Sequence, residues 1–99
     1  MILSGGENVY STEVEHVLHA HPSVLEAAVF GLPDELWGER VCAAVVLRPG
    51  SSASTEELQQ FCRGQLAAYK VPRAIEFLSE LPRTGSGKIR KQALRSRPC

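Results

Sequence analysis

Residues 24–50 read VLEAAVFGLPDELWGERVCAAVVLRPG and contain two runs that are rich in valine and alanine. Glycine or proline bounds each run, and a loop containing Trp37 separates them. Apolar runs of this length with turn residues at their ends are typical of buried strands. We therefore predict two neighbouring antiparallel strands at the centre of the fold.

The segments on either side of this pair predict helices. Apolar residues recur at helical spacing in residues 11–21 and again in residues 54–68. Each segment opens with a pattern typical of a capping box, TEVE at 12–15 and STEE at 54–57, in which two side chains satisfy each other's backbone donors. We expect the first helix to end near Pro22, because proline disfavours helix at the residue before it.

The end of the chain predicts one more strand and one more helix. AIEFL at residues 74–78 alternates like a half-buried strand, and a short basic helix is expected through Ile89 and Leu94. With a strand stub at residues 1–3, the predicted order is β-α-β-β-α-β-α. We expect an α+β fold with a small three-stranded, mostly antiparallel sheet flanked by helices.

The length and composition suit one small globular domain, with 99 residues of which 43% are hydrophobic and 22% charged. No apolar run approaches 18 residues, and no charged and hydrophobic leader is present. We therefore expect no membrane span and no secretory signal. The expected location is intracellular and cytoplasmic, and the sequence does not determine an organelle.

Neither the cysteines nor the histidines predict a metal site. Cys42, Cys62 and Cys99 are odd in number and widely separated, which suits neither a disulfide framework nor a C-x-x-C motif. We interpret Cys42 and Cys62 as structural thiols. The three histidines lie in HVLHAH at residues 16–21, where nearby sequence offers no further ligands, so we expect them to face solvent.

The net charge of zero conceals an asymmetry. Residues 1–69 contain three basic and nine acidic side chains, whereas residues 70–99 contain eight basic and two acidic ones. The basic third either contacts something anionic or faces the acidic part of its own fold. A non-enzymatic anion-binding module is one alternative. We expect no nucleic-acid partner, because interleaved aromatics and a nucleic-acid fold signature are both missing.

The run TGSGK at residues 84–88 resembles half of a phosphate-binding loop. A P-loop needs G-x-x-x-x-G-K-[S/T], but Pro82 stands at the first glycine position and Ile89 at the hydroxyl position. This spacing excludes a P-loop. Two interpretations stay open: a flexible basic surface loop, or a mobile loop that delivers Lys88 to a site.

Three segments together resemble one known family. They are SGGENVYSTEVE at 4–15, HPSVLEAAVFGLPDELWGERVCAAVVL at 21–47, and LAAYKVPRAIEFLSELPRTGSGKIRKQAL at 66–94. In this order they resemble the C-terminal domain of the acyl-CoA synthetases, which belong to the adenylate-forming enzyme superfamily. The resemblance implies that residues 1–99 form a single C-terminal lid domain. The large N-terminal AMP-binding domain, which would hold the nucleotide and the acyl group, is absent.

The resemblance also implies an activity for the parent enzyme. In this family a carboxylate attacks the α-phosphate of ATP, and the thiol of coenzyme A then displaces AMP, while the small domain adopts two orientations. ATP with Mg²⁺, coenzyme A and a carboxylic acid such as a fatty acid are the implied substrates, and we expect none to be bound by this domain alone. Alternative parents are a carrier-protein-loading adenylation domain and a luciferase-like oxygenase. The sequence SGGEN at residues 4–8 resembles the loop of CoA ligases more than that of carrier-loading enzymes.

By resemblance, Lys88 is the catalytic lysine of adenylation. A point cation on a flexible stem can follow the charge that develops on phosphate oxygens. Arg83 and Thr84 are expected to shape the loop close to the phosphate. Gly85 and Gly87 are expected to let the loop move.

The remaining site residues implied by the resemblance concern coenzyme A. A glycine turn faces the pantetheine arm, where a Cβ would obstruct its passage, and it comprises Ser4, Gly5, Gly6 and Glu7. The phosphates of coenzyme A require cations, for which the candidates are Lys70, Arg40, Arg90 and Lys91. Trp37 is expected to be a packing or hinge-face residue and not an adenine platform.

Overall fold

The computed structural model describes residues 2–95, in which five strands and three α-helices follow one another along the chain. The elements are β1 (Ile2–Ser4), β2 (Glu7–Val9), α1 (Ser11–His19), β3 (Val24–Asp34), β4 (Gly38–Leu47), α2 (Thr55–Arg63), a 3-10 turn (Ala68–Lys70), β5 (Ala74–Phe77) and α3 (Lys91–Arg95).

Strands β3 and β4 form the predicted antiparallel pair. Their register runs from Val24 opposite Leu47 to Asp34 opposite Gly38. The connection between them has only three residues, because the Asp34 side chain accepts the backbone N–H groups of both Leu36 and Trp37 at 2.9 Å. An aspartate that binds the backbone two residues ahead stabilises a tight turn.

The sheet has five strands in the described residues, so the predicted number of three is wrong. Strand β1 pairs with β2 and, at its end, with β4, while β5 pairs with β4 in parallel. The missed strand β2 is three residues long, too short for a recognisable alternation. Its pairing is determined by the turn that precedes it. The predicted α+β class, with a mostly antiparallel sheet and flanking helices, is confirmed.

Both faces of the sheet are buried. Along β4, Val41, Ala43 and Val45 face a core that also contains α1 and α2. The alternate residues of β4 face a second core, covered by the C-terminal segment through Leu81 and Leu94. The C-terminal segment is therefore one of the two layers that shield the sheet from water.

Helix α1 buries Val14, Val17 and Leu18, as its periodicity predicts. Its predicted capping box is wrong, because Tyr10 is the N-cap residue and provides no side-chain cap. Glu15 does not turn back to the helix start. It accepts the N–H of Val29 at 2.8 Å.

The second predicted cap is confirmed in part, because the Ser54 hydroxyl accepts the N–H of Glu57 at 3.1 Å. The Glu57 carboxylate lies 3.1 Å from Nε2 of His21. His21 is buried, and its Nδ1 accepts the N–H of Ser23. The expectation that all three histidines face solvent is therefore wrong for His21, which joins the end of α1 to α2.

Cys42 and Cys62 are both fully buried, and Cys62 is a free thiol, consistent with the interpretation as structural cysteines. Burial raises the pKa of the Cys62 thiol, which keeps it protonated at neutral pH. Cys99 lies outside the described residues. Among residues 2–95, no helix is long and apolar enough to cross a membrane.

Leu58 provides a test of the helix-covered core. We expect Leu58→Ala to lower the free energy of unfolding by about 2–5 kcal/mol, because the leucine is fully buried between α2 and the sheet. Leu36→Ala makes the same chemical change at an 82% exposed position and should change it by less than about 0.5 kcal/mol. Urea unfolding of the variants measures both. Equal effects would contradict this packing.

Candidate active-site elements

The segment around Lys88, which we call the lysine loop (residues 83–90), is a closed turn. Arg83 and Ile89 form an antiparallel bridge at its base. Inside it, the N–H of Thr84 donates to the carbonyl of Lys88 at 2.8 Å, and the N–H of Gly87 donates to the carbonyl of Thr84 at 2.9 Å. These bonds give the loop a defined backbone path.

Side chains close the lysine loop further. The Thr84 hydroxyl lies 2.9 Å from the Ser86 hydroxyl and accepts the N–H of Lys88 at 3.2 Å. Gly87 has a φ of +89°, a conformation that favours glycine. Gly87 therefore serves a tight turn, and both interpretations of the loop stay predictions.

The Lys88 side chain is exposed at this turn. The other two lysines are engaged: Lys70 pairs with Glu13 at 2.9 Å, and Lys91 pairs with Glu15 at 2.9 Å. Within residues 2–95, no hydrogen bond or ion pair holds the Lys88 ammonium. It is the lysine available to an anion outside the domain.

Arg83 is committed to the fold of the lysine loop. Its guanidinium forms an ion pair with Glu26 of β3 and donates to the carbonyl of Gly87 at 2.9 Å. The expectation that Arg83 shapes the loop agrees with these contacts. Its predicted contact with substrate stays a prediction.

The glycine turn (residues 4–7) is a two-residue hairpin connection between β1 and β2. Gly5 and Gly6 have φ values of +59° and +82°, and positive φ at both positions is what type I′ turns require. Ser4 is buried, whereas Gly6 has open space where a Cβ would point. The turn thus offers exposed backbone at Gly6, as a close-fitting ligand would need.

Trp37 packs against the glycine turn. Its carbonyl accepts the N–H of Gly5 at 2.8 Å, and a Cβ built on Gly5 would lie 2.9 Å from the indole ring. The guanidinium of Arg73 lies over the Trp37 ring, 4.1 Å from the ring centroid, a distance typical of a cation–π contact. This supports the interpretation of Trp37 as a packing residue. It also adds Arg73, which the sequence analysis missed because no motif marks it.

The cations predicted to hold coenzyme A do not form one cluster. The hydrogen bond with Glu13 raises the pKa of Lys70, which stays charged beside the first turn of α1. Arg40 donates to the carbonyl of Pro33 at 2.9 Å. Lys91 lies on α3, and Arg90 is exposed in the lysine loop. Lys70 and Lys91 both pair with glutamates of α1, whereas Arg40 of β4 lies beside the end of β3 and Arg90 in the lysine loop.

The glycine turn and the lysine loop lie at opposite ends of the sheet. Ser4 pairs with Gly38, which is opposite Asp34 at the end of β3, whereas Arg83 is bound to Glu26 near its start. Asp34 lies eight residues after Glu26, a span of about 26 Å along the extended strand. The two loops are thus attached at different ends of β3.

Within the part of the chain that the structure describes, no three His, Cys, Asp or Glu residues lie close enough together to hold a metal ion.

Comparison with known proteins gives consistent matches. Residues 13–88 match the family model of the AMP-binding enzyme C-terminal domain. The mitochondrial medium-chain acyl-CoA ligase ACSF2 of Danio rerio is 48% identical over 97 residues, covering 98% of this chain and 16% of that protein. The fatty acid–[acyl-carrier-protein] ligase ScoC of Streptomyces coeruleorubidus is 51% identical over 96 residues, covering 97% of this chain and 18% of that protein.

A solved structure agrees in fold. The acyl-CoA synthetase of Brucella canis matches with a TM-score of 0.90 and 44% identity, covering 96% of this chain and 18% of that one. The chain thus spans less than a fifth of the length of the proteins it matches.

The two glycines of the glycine turn should differ in their tolerance of a side chain. Gly6→Ala meets only the cost of a positive φ, about 1 kcal/mol of unfolding free energy. Gly5→Ala must also displace the Trp37 ring, for a total of about 2–4 kcal/mol. Urea unfolding measures both, and equal losses would contradict the contact between Gly5 and Trp37.

Proposed function

Since the chain belongs to the AMP-binding enzyme C-terminal domain family, we propose that it is the mobile C-terminal lid of an ATP-dependent, AMP-forming carboxylate–CoA ligase. The single observation that carries the proposal is the exposed Lys88 ammonium at a closed turn, unpaired within residues 2–95. The large N-terminal domain of the same protein is the partner, and it holds ATP and the carboxylic acid. The lid alone is inactive.

In the adenylation half-reaction, Lys88 enters the site on the large domain. The carboxylate of the substrate attacks the α-phosphate of ATP, the bond to the diphosphate leaving group breaks, and negative charge grows on the phosphate oxygens. An ammonium at that point stabilises the transition state more than the ground state, since closure excludes water.

In the thioester half-reaction, the glycine turn replaces the lysine loop at the site. The backbone at Gly6 is open, and a pantetheine arm can pass it at van der Waals distance. The thiol of coenzyme A attacks the acyl carbon, and AMP leaves. The attachment of the two loops at different ends of β3 supports this exchange by domain rotation.

The acceptor could also be a carrier protein, because a similar protein is named as a fatty acid–[acyl-carrier-protein] ligase. Coenzyme A and a holo carrier protein both present a pantetheine thiol, so the glycine turn suits either. Parallel thioester assays with coenzyme A and with a holo carrier protein distinguish the two. Faster turnover with the carrier protein than with coenzyme A would assign the parent enzyme as a carrier-protein ligase instead of a CoA ligase.

Lys88→Ala tests the adenylation role in the full-length protein that carries this domain. We expect the rate of acyl-adenylate formation to fall about 100- to 1,000-fold, since one charge stabiliser of the transition state is lost. Thioester formation from preformed acyl-adenylate should change little. Arg63→Ala removes an exposed cation from the last turn of α2, on the other face of the sheet, and serves as the control. Equal loss in both half-reactions would count against the assignment.

Gly6→Ala tests the thioester role. A methyl group at Gly6 should narrow the path of the pantetheine arm and lower the rate of thioester formation at least about tenfold. Adenylation should stay intact. Gly50→Ala is a matched control, because Gly50 also has a positive φ and open surroundings but lies outside both loops. The role of the glycine turn is wrong if the two variants behave alike.

A further inference from the structure

Two carboxylates outside the lysine loop bind the chain on either side of it. Glu15 lies on α1 and Glu26 on β3, and neither touches Lys88. Both pair with cations of the C-terminal third, and these pairs resolve part of the charge asymmetry of the sequence. The proposed function gives them no role.

Glu15 anchors the segment that follows Lys88. Its Oε2 accepts the backbone N–H of Val29 at 2.8 Å and lies 2.9 Å from Nζ of Lys91. The same ammonium donates to the hydroxyl of Ser11 at 3.2 Å. Because one bond ties the carboxylate to the edge strand β3, the carboxylate is a fixed point for Lys91, which begins α3.

Helix α3 depends on such anchors. It has five residues, and a helix of that length is not stable by itself in water. Besides the Lys91 pair, its end is held by Arg95, whose Nε donates to the carbonyl of Gly31 at 3.0 Å, and by the buried Leu94. The start of α3 lies three residues after Lys88, so its position limits where Lys88 can lie.

Glu26 anchors the segment that precedes Lys88. It pairs with Arg83, and the same guanidinium holds the carbonyl of Gly87. The bridge between Arg83 and Ile89 then closes the base of the loop. Together these contacts hold the backbone on both sides of Lys88 against β3.

We propose that Glu15 and Glu26 are positioning residues for Lys88, acting through Lys91 and Arg83. This rests on the proposed function, since it assumes that Lys88 works in adenylation. A loop that had to be ordered at each closure would lose conformational entropy there, and the transition state would bind less tightly. The two anchors remove that loss in advance, while the side chain of Lys88 keeps its own freedom.

Amide hydrogen exchange in the 99-residue chain measures how strongly Glu15 and Glu26 hold the lysine loop, and it needs no enzymatic activity. Glu15→Gln keeps an oxygen for the N–H of Val29 but removes the ion pair with Lys91, and Glu26→Gln weakens the pair with Arg83. We expect protection of the Thr84 and Arg90 amides, which donate to Lys88 and Pro82, to fall about two- to fivefold. Glu13→Gln breaks a similar pair on the same helix, with Lys70, and should leave these amides unchanged.

Half-reaction kinetics in the full-length protein measure the consequence. Glu15→Gln and Lys91→Met should lower kcat of adenylation about two- to fivefold with little change in the KM for ATP, and Lys91→Arg should restore it. Thioester formation from preformed acyl-adenylate should stay unchanged in Glu15→Gln. If the variants lower the rates of both half-reactions equally, the role of the glutamates is purely structural and the proposal is overturned. Unchanged amide exchange rates in both glutamine variants would also overturn it.

The two proposals fail separately. If Lys88→Ala leaves adenylation intact, the proposed function is wrong, and so is any positioning of a catalytic group. If Lys88→Ala abolishes adenylation while the glutamine variants match Glu13→Gln in exchange and in adenylation, only the anchors are wrong.

Discussion

The antiparallel pairing of β3 with β4 is the constraint on which the rest of the structure depends. The side chains of β4 alternate between two buried cores, so neither face of the sheet can be left in water. Helices α1 and α2 cover one face, and the segment from Leu81 to Leu94 covers the other. Because that second cover carries Lys88, burial of the sheet determines where the lysine loop attaches.

The length of β3 has a functional consequence. The glycine turn lies at one end of the strand, and Arg83 of the lysine loop is bound near the other end, about 26 Å away along the extended backbone. Under the proposed function this arrangement suits two half-reactions, because a rotation would exchange one loop for the other without refolding either. Trp37 and Arg73 stiffen the first end, and Arg83 with Lys91 stiffens the second.

The charge asymmetry shows how far composition can be interpreted. The sequence left two alternatives, an external anion or the acidic part of the same fold. Lys70, Arg83 and Lys91 pair with glutamates from the first third of the chain, so the second alternative accounts for these three cations. Lys88 and Arg90 keep exposed side chains. Only the folded chain distinguishes the paired cations from the exposed ones, since each paired cation and its glutamate are more than 50 residues apart in the sequence.

The sequence by itself determined the α+β class, the central strand pair, the helix periodicity and the Ser54 cap, because these follow from local spacing. It also marked the glycine turn and Lys88 through short motifs. The tertiary structure decided the number of strands, the burial of His21, the contacts of Glu15 and the points on the sheet where the two loops are attached. These depend on which distant residues meet across the sheet, and no local pattern encodes such contacts.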